Sequence, residues 1–443
     1  MGGPGFDRRE EERRERAVLV GVHLPHDPDR PLSGPADTEE LARLVDTAGG
    51  EVLRVIEQRR GGPNPATFLG KGKLEELKEA VITHDAEVVV FDNDLAPNQG
   101  RNLQKALNES CEEGEEVRVI DRTELILDIF AKHARSRQAR LQVELAQLEY
   151  MLPRLTRLWT HLERQSGGIG TRGPGETQLE TDRRLIGRRL AHLRKQLKQL
   201  AQERATQTSG RSDIFRVALV GYTNAGKSTL MRAVTGANVY IKDQLFATLD
   251  ATTRRVEIDE RRQFLLTDTV GFIRRLPHHL VASFRTTLQE VADADLLLHV
   301  VDAGAADPEH QIAAVNEVLV DLVPTDQPAL LVFNKMDTVA DADLVRNGLA
   351  RHHDQAVFVS AVQPEGAEIL RDTIIGYLRA REHVVRLRLP LHKVYLLGPW
   401  HRTGDVLEQV CDNDFCQATV RMRQEDARRL IARDSEVTEV PGS

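Results

Sequence analysis

The stretch that most narrows the possible folds of this 443-residue chain is Gly221-Tyr222-Thr223-Asn224-Ala225-Gly226-Lys227-Ser228. An apolar run, Val217-Ala218-Leu219-Val220, precedes it, and an amphipathic segment, Thr229-Leu230-Met231-Arg232-Ala233-Val234, follows. Strand, then G-x-x-x-x-G-K-S, then helix is the context in which this spacing makes a phosphate cradle. The glycines let several backbone N–H groups turn inward on phosphate oxygens. The helix N-terminus adds its partial positive charge. Lys227 is placed to reach the outer phosphates, and the Ser228 hydroxyl to ligate Mg²⁺, with Thr229 opening the helix behind them. The pattern calls for an α/β nucleotide-binding domain.

Three further elements occur downstream, in order and each beside a strand. Asp268-Thr269-Val270-Gly271 follows Phe264-Leu265-Leu266-Thr267. A D-x-x-G turn sets a carboxylate near Mg²⁺ and the Gly271 N–H against the γ-phosphate. Loss of that phosphate releases the loop behind it. Asn334-Lys335-Met336-Asp337 follows Ala329-Leu330-Leu331-Val332-Phe333. N-K-x-D reads guanine, because the Asp337 carboxylate accepts from the ring N–H and the exocyclic amine, a donor pair adenine lacks there. Ser360-Ala361, after Ala356-Val357-Phe358-Val359, is placed to give backbone contacts to the guanine oxygen.

Together these elements have the pattern of translation-factor-like GTPases, and that likeness implies a mostly parallel six-stranded sheet between helices over 212–381. Phe246-Ala247-Thr248-Leu249-Asp250 lies where the first switch must be. One threonine there is expected on Mg²⁺: Thr248 by position, with Thr252 and Thr253 as alternatives. Lys227, Thr248 and Gly271 are the residues expected to serve hydrolysis, and Ser228, Thr248 and Asp268 the metal ligands. Phe272 stands where a water-orienting Gln is expected. A phenyl ring cannot hydrogen-bond water, which predicts slow intrinsic turnover and a partner that completes the site.

Upstream, residues 17–130 alternate short apolar runs (Ala17–Val22, Val52–Ile56, Glu87–Phe91, Val117–Ile120) with amphipathic stretches (Thr38–Ala48, Lys73–Ile82, Asn98–Leu107). Such alternation predicts a parallel sheet covered on both faces. Two loops could take a ligand here. Thr67-Phe68-Leu69-Gly70-Lys71-Gly72-Lys73 sets glycines and lysines at a helix start, as an anion site or as a loop with solvated lysines. Asp92–Asn98 follows a strand end and reads better as a turn and cap.

Residues 131–211 change character. Leu141, Leu145, Leu148, Leu152 and Leu155, then Ile186, Leu190, Leu193, Leu197 and Leu200, recur at heptad-like spacing and predict an antiparallel helical hairpin. Pro153 is expected to kink or interrupt its first arm. The chain as a whole carries −8, yet this segment holds 17 Lys/Arg against 7 Asp/Glu. A basic arm ending in the glycine-rich Ser166–Gln178 suits a nucleic-acid backbone, folded RNA above all. Gln202–Ser212 reads as a linker. Glu382–Ser443 reads as a small α/β appendage with strand-like pieces at Val384–Leu389, Val394–Leu397 and Ala418–Met422.

Composition removes other classes. No apolar run approaches the ~18 residues of a membrane span, and the mixed-charge Asp7–Arg16 is a solvated start with no signal-peptide pattern. The three cysteines, Cys111, Cys411 and Cys416, lack metal-ligand spacing and are expected as free thiols in a reducing cytoplasm.

The combination resembles the HflX GTPases. Its carriers are G-Y-T-N-A-G-K-S-T-L from Gly221, F-A-T-L-D from Phe246, D-T-V-G-F-I from Asp268, N-K-M-D from Asn334 and, most specifically, Gly173-Pro174-Gly175-Glu176-Thr177-Gln178-Leu179-Glu180-Thr181-Asp182-Arg183-Arg184. Ala251, where many members carry proline, is a small departure. The resemblance implies a cytoplasmic, monomeric GTPase, with room for a membrane-associated fraction, that uses Mg²⁺. It implies binding to the large ribosomal subunit and its rRNA, and action in splitting or rescue of ribosomes or in their biogenesis. It makes ATP use at the N-terminal domain conceivable through Gly70–Lys73. A tRNA-modifying GTPase would need a second chemical site, and a GTP-binding assembly scaffold would dispense with hydrolysis.

Overall fold

The protein is described from a computed structural model that covers residues 14–25, 36–111, 116–158, 174–208, 214–236, 245–246, 248–258, 263–274, 290–320, 322–380, 382–398, 400, 404–423, 427–428, 431–432 and 437–440. Most of the glycine-rich stretch 166–178 and Ala247 lie outside the described residues. The chain forms two compact units, the first made of residues 1–210, 242–250 and 270–288, the second of 211–241, 251–269 and 289–443.

The first unit is built on β1 (Glu15–His23), β2 (Gly50–Arg59), β3 (Val88–Phe91) and β4 (Arg118–Asp121), all parallel, in the order β2-β1-β3-β4. The β1 and β3 side chains are buried along their apolar runs, as expected of strands covered on both faces. Four helices follow the strands in turn: α1 (Ala36–Ala48), α2 (Lys71–His84), α3 (Pro97–Asn108) and α4 (Arg122–His133). Asp121 ends β4 and caps α4, its carboxylate accepting from Glu124 N at 3.0 Å. The Gly70–Lys73 loop becomes the start of α2, where Lys73 pairs with Glu76 at 2.7 Å.

Two long helices complete this unit, α5 (Arg137–Leu158) and α6 (Pro174–Thr208). Leu145, Leu190, Leu193 and Leu197 are buried in their seam, with Leu141, Leu148, Leu152 and Ile186 packed against it. Glu144 pairs with Arg189 at 2.6 Å and Glu149 with Arg194 at 2.7 Å. These residues flank the seam on its two sides, joining like positions of the two repeats, which antiparallel arms require. The expected interruption at Pro153 does not occur: α5 runs through it. Pro153 lies on the exposed side of the helix, where its ring does not have to fit into the packed seam.

The second unit carries a six-stranded sheet of β5 (Phe215–Gly221), β6 (Thr252–Glu257), β7 (Gln263–Asp268), β8 (Leu296–Asp302), β9 (Ala329–Asn334) and β10 (Val357–Phe358). The order is β10-β9-β8-β5-β7-β6, and all pairs are parallel except β6 with β7. Helices α7 (Lys227–Thr235), α8 (Pro308–Val320) and α9 (Ala342–Ala350) lie between its strands, and α10 (Pro364–Ala380) follows β10. Leu219, Leu230, Leu266, Leu298, Val332 and Ile374 are among the residues of one core beneath this sheet.

A second sheet of the same unit is antiparallel, ordered β12 (Asp405–Cys411), β13 (Phe415–Arg423), β11 (Glu382–Pro390), β14 (Thr438–Val440). Its core holds Leu387, Trp400, Cys416 and Val420. Two expectations fail here. Val394–Leu397 is not a strand; Leu391–Leu396 turns as a 3₁₀-helix directly after Pro390. Nor are all cysteines free: Cys411 and Cys416 form a disulfide, and only Cys111 is a free thiol. The two face each other across β12 and β13, a pairing that spacing along the chain does not reveal. Among the described residues no helix is long and apolar enough to cross a membrane.

Candidate nucleotide-binding site

The ends of β5, β7 and β9 carry the motif residues of the second unit. Gly221 takes φ +148°, and a Cβ there would stand 2.1 Å from the Val300 carbonyl oxygen on β8, so only glycine admits this close approach. Asn224 is left-handed (φ 60°) and Gly226 takes φ +92° to start α7. Tyr222, Thr223 and Ala225 are buried.

Lys227 is buried, and its ammonium donates to the carbonyls of Gly221 (3.0 Å) and Tyr222 (2.8 Å). Burial pulls its pKa down to about 8, partly opposed by the Asp268 carboxylate. The Ser228 hydroxyl donates to Asp268 Oδ2 at 2.6 Å, so the two expected metal ligands of this unit already adjoin. Thr269 secures the same turn, its hydroxyl donating to the Leu219 carbonyl at 2.6 Å. His299, next to Val300 on β8, is buried and stays neutral: desolvation, then the Lys227 charge, lower its pKa to about 4.

Asn334 does something the motif alone does not announce. Its Nδ2 donates to the Ala225 carbonyl at 2.9 Å, and its Oδ1 accepts from Ala361 N at 2.9 Å. One buried amide thereby joins the phosphate loop, the N-K-M-D turn and the Ser360-Ala361 segment. A Cβ on Gly226 would lie 2.2 Å from that Nδ2, so the second loop glycine serves the clamp as well as the turn. Asp337 accepts from the Ser360 hydroxyl. Lys335 is left-handed (φ 63°) and its ammonium pairs with Asp302 at 2.8 Å, while Met336 is buried and donates its N–H to the Val359 carbonyl. Thr252 and Thr253 are engaged in β6, opposite Asp268 and Thr267.

The remaining motif residues belong to the first unit. Phe246 takes φ 55° and is buried, its ring edge-on to Phe130 at 4.7 Å. His133 Nδ1 lies 2.8 Å from the Phe246 carbonyl, which fixes the proton on Nδ1 because the carbonyl can only accept. Leu245 N donates to the Thr47 hydroxyl at 3.3 Å. The Asp250 carboxylate accepts from Arg135 N (3.0 Å), Ser136 N (2.9 Å) and the Ser136 hydroxyl, just before α5. Thr248 is half-buried and Leu249 buried. Val270, Gly271 and Phe272 are buried, and two residues on, the Arg274 carbonyl accepts from Arg122 at 3.3 Å. Arg122 is itself held by Asp92 and Glu40, each at 2.8 Å. Thr47, Arg122, His133 and Ser136 are functional neighbours that sequence reading missed, and no local pattern marks them.

The chain is similar to known proteins over most of its length. Residues 36–131 match the family model for the N-terminal region of GTP-binding GTPases, 133–211 that for their middle region, and 216–335 that of the 50S ribosome-binding GTPase. GTPase HflX of Flavobacterium psychrophilum is 45% identical over 393 residues, 84% of this chain and 92% of the relative. GTPase HflX of Escherichia coli is 44% identical over 432 residues, 97% of this chain and 98% of the relative. Among solved structures, a GTP-binding protein of Sulfolobus solfataricus in complex with GDP aligns with 82% of this chain and 98% of its own, at 24% identity and TM-score 0.44.

Proposed function

Because the chain belongs to the HflX family of GTPases, we propose that its GTP hydrolysis drives a switch that engages the large ribosomal subunit, in ribosome splitting and rescue or in biogenesis. GTP binding and hydrolysis come with the family. The observation that carries the nucleotide reading is the Asn334 clamp, which sets Asp337 and the phosphate loop in fixed register. A buried, doubly bonded amide is costly to leave half-paired, so guanine-reading and phosphate-holding segments are positioned together.

Ser228 and Asp268 would supply the hard oxygen donors that suit Mg²⁺. When bound, Mg²⁺ neutralises phosphate charge. Lys227 offers its ammonium, drawn from the carbonyls of its own loop, to the same oxygens. Phe272 provides no hydrogen bond to an attacking water, so ribosomal contact is the proposed stimulus.

The partner reading rests on charge. Arg183, Arg184, Arg188, Lys195 and Lys198 are exposed along α6, on the segment with 17 basic and 7 acidic residues. Such an arm suits rRNA phosphates, which supports the ribosomal reading and, with it, a cytoplasmic one. Co-sedimentation with separated subunits tests this. The protein should pellet with large subunits in a non-hydrolysable GTP analogue and much less in GDP, and large subunits should accelerate phosphate release. Equal, negligible pelleting in both nucleotides would overturn the reading.

A further inference from the structure

The motifs above leave the C-terminal sheet without a role, and its disulfide is the chemically distinctive group there. Cys411 ends β12 and Cys416 opens the β13 ladder opposite it. The turn between them is tightly specified: Asp412 N donates to the Phe415 carbonyl at 2.9 Å, and the Asp412 carboxylate accepts from Asp414 N (2.9 Å) and Phe415 N (2.7 Å). That bonded pair makes the next one inward, Cys411 with Cys416, a non-hydrogen-bonded pair, whose side chains approach most closely in an antiparallel ladder. The backbone therefore keeps the two sulfurs adjacent without help from the S–S bond.

Their surroundings differ. Cys416 is fully buried in the sheet core, whereas Cys411 is exposed. The Gln409 amide lies 3.5 Å from one sulfur and 3.6 Å from the other. Strand β12 is an edge, paired only with β13 among the described residues, and it exposes Leu407 and Val410. Few apolar contacts hold it, so a covalent link at its end matters to it more than to the strands inside.

We propose that Cys411 and Cys416 form a reversible redox pair that pins the edge strand β12 when oxidised. The oxidant is a low-molecular-weight disulfide such as glutathione disulfide. The accessible Cys411 thiol loses its proton, and its thiolate attacks one sulfur of the reagent, expelling one thiolate. The deprotonated Cys416 then attacks Sγ of Cys411 in the mixed disulfide and expels the second. Two protein thiols are oxidised to one disulfide, the reagent is reduced to two thiols, and the two protons shed by the cysteines are taken up by the expelled thiolates. Excess reduced glutathione runs the sequence backwards. The buried Cys416 needs no route to solvent, since its target is already opposite it.

The full-length Cys111→Ser protein, equilibrated at graded ratios of reduced to oxidised glutathione, then acid-quenched, alkylated and weighed, tests this. The expected result is a two-label to no-label transition within the accessible ratios. Amide exchange over 405–411 should be about tenfold faster in the reduced protein, and Cys416→Ser should exchange at the fast rate at every ratio. Two alkylated thiols at all ratios would show that no pair forms, and a bond that survives excess reduced glutathione in the folded protein would show a permanent staple. A transition with unchanged exchange would remove the pinning role. Each of those three results overturns the proposal.

Discussion

At Lys227, burial and chemistry pull in opposite directions. The ammonium is out of water, satisfied by two carbonyls, and its pKa has fallen to about 8. A folded-state value below the unfolded one means that the unfolded chain binds the extra proton between pH 8 and the ordinary lysine range. Stability gains from this group as pH rises through that window, and the charged form is a burden below it. Phosphate reverses the preference. Guanine-nucleotide affinity should be flat below pH 8 and fall about tenfold per unit above it, as binding comes to require proton uptake. Calorimetric titrations at pH 9 in two buffers of different ionisation enthalpy should show uptake of close to one proton; identical heats would refute it. The lysine itself was legible from spacing. Asn334 was legible only as part of a guanine motif, because its amide reaches residues 109 and 27 positions away, and a local pattern carries no information about which side chain bridges three loops.

Among elements, the least legible was the segment 245–250. Its sequence, F-A-T-L-D with flanking residues, identifies a switch but not its neighbours. The structure gives Asp250 the role of an acceptor for the backbone N–H groups that precede α5, while Ser136 caps the helix by accepting from Ala139 N at 3.0 Å. Asp250→Ala removes the acceptor for two backbone donors and one hydroxyl and should destabilise the first unit by about 1–2 kcal/mol. Asp250→Asn, which keeps one acceptor oxygen, should lose less. Urea denaturation of the full chain, with amide exchange at 135–139, measures both; an Ala variant as stable as the parent would refute the cap. Elements with strong periodicity, such as the α5–α6 seam and the β1 and β3 runs, were readable because burial writes itself into spacing. Val394–Leu397 misled because an apolar run after Pro390 fits a strand as well as a tight turn, and only packing decides.

Over the whole molecule, the order of the motifs hides how the chain is apportioned. It passes between the two units at 210/211, 241/242, 250/251, 269/270 and 288/289. A cut at residue 212, which sequence reading suggests, separates Phe246 from Phe130 and His133, and Arg274 from Arg122. The excised 212–443 fragment should therefore be cleaved by a broad-specificity protease within 242–250 at least tenfold faster than the intact chain, since a segment stripped of its buried contacts opens at little cost. Equal cleavage rates would show that those contacts do not restrain it.

The same threading has a consequence in time. A ribosome delivers the first unit's opening 210 residues well before its last segment, which ends 78 residues later at 288. At about 5–20 residues per second, that interval lasts about 4–16 s. Phe246 follows Phe130 by 116 residues, so at the same rate the Phe130 ring waits about 6–23 s on the growing chain without the phenyl group that packs against it.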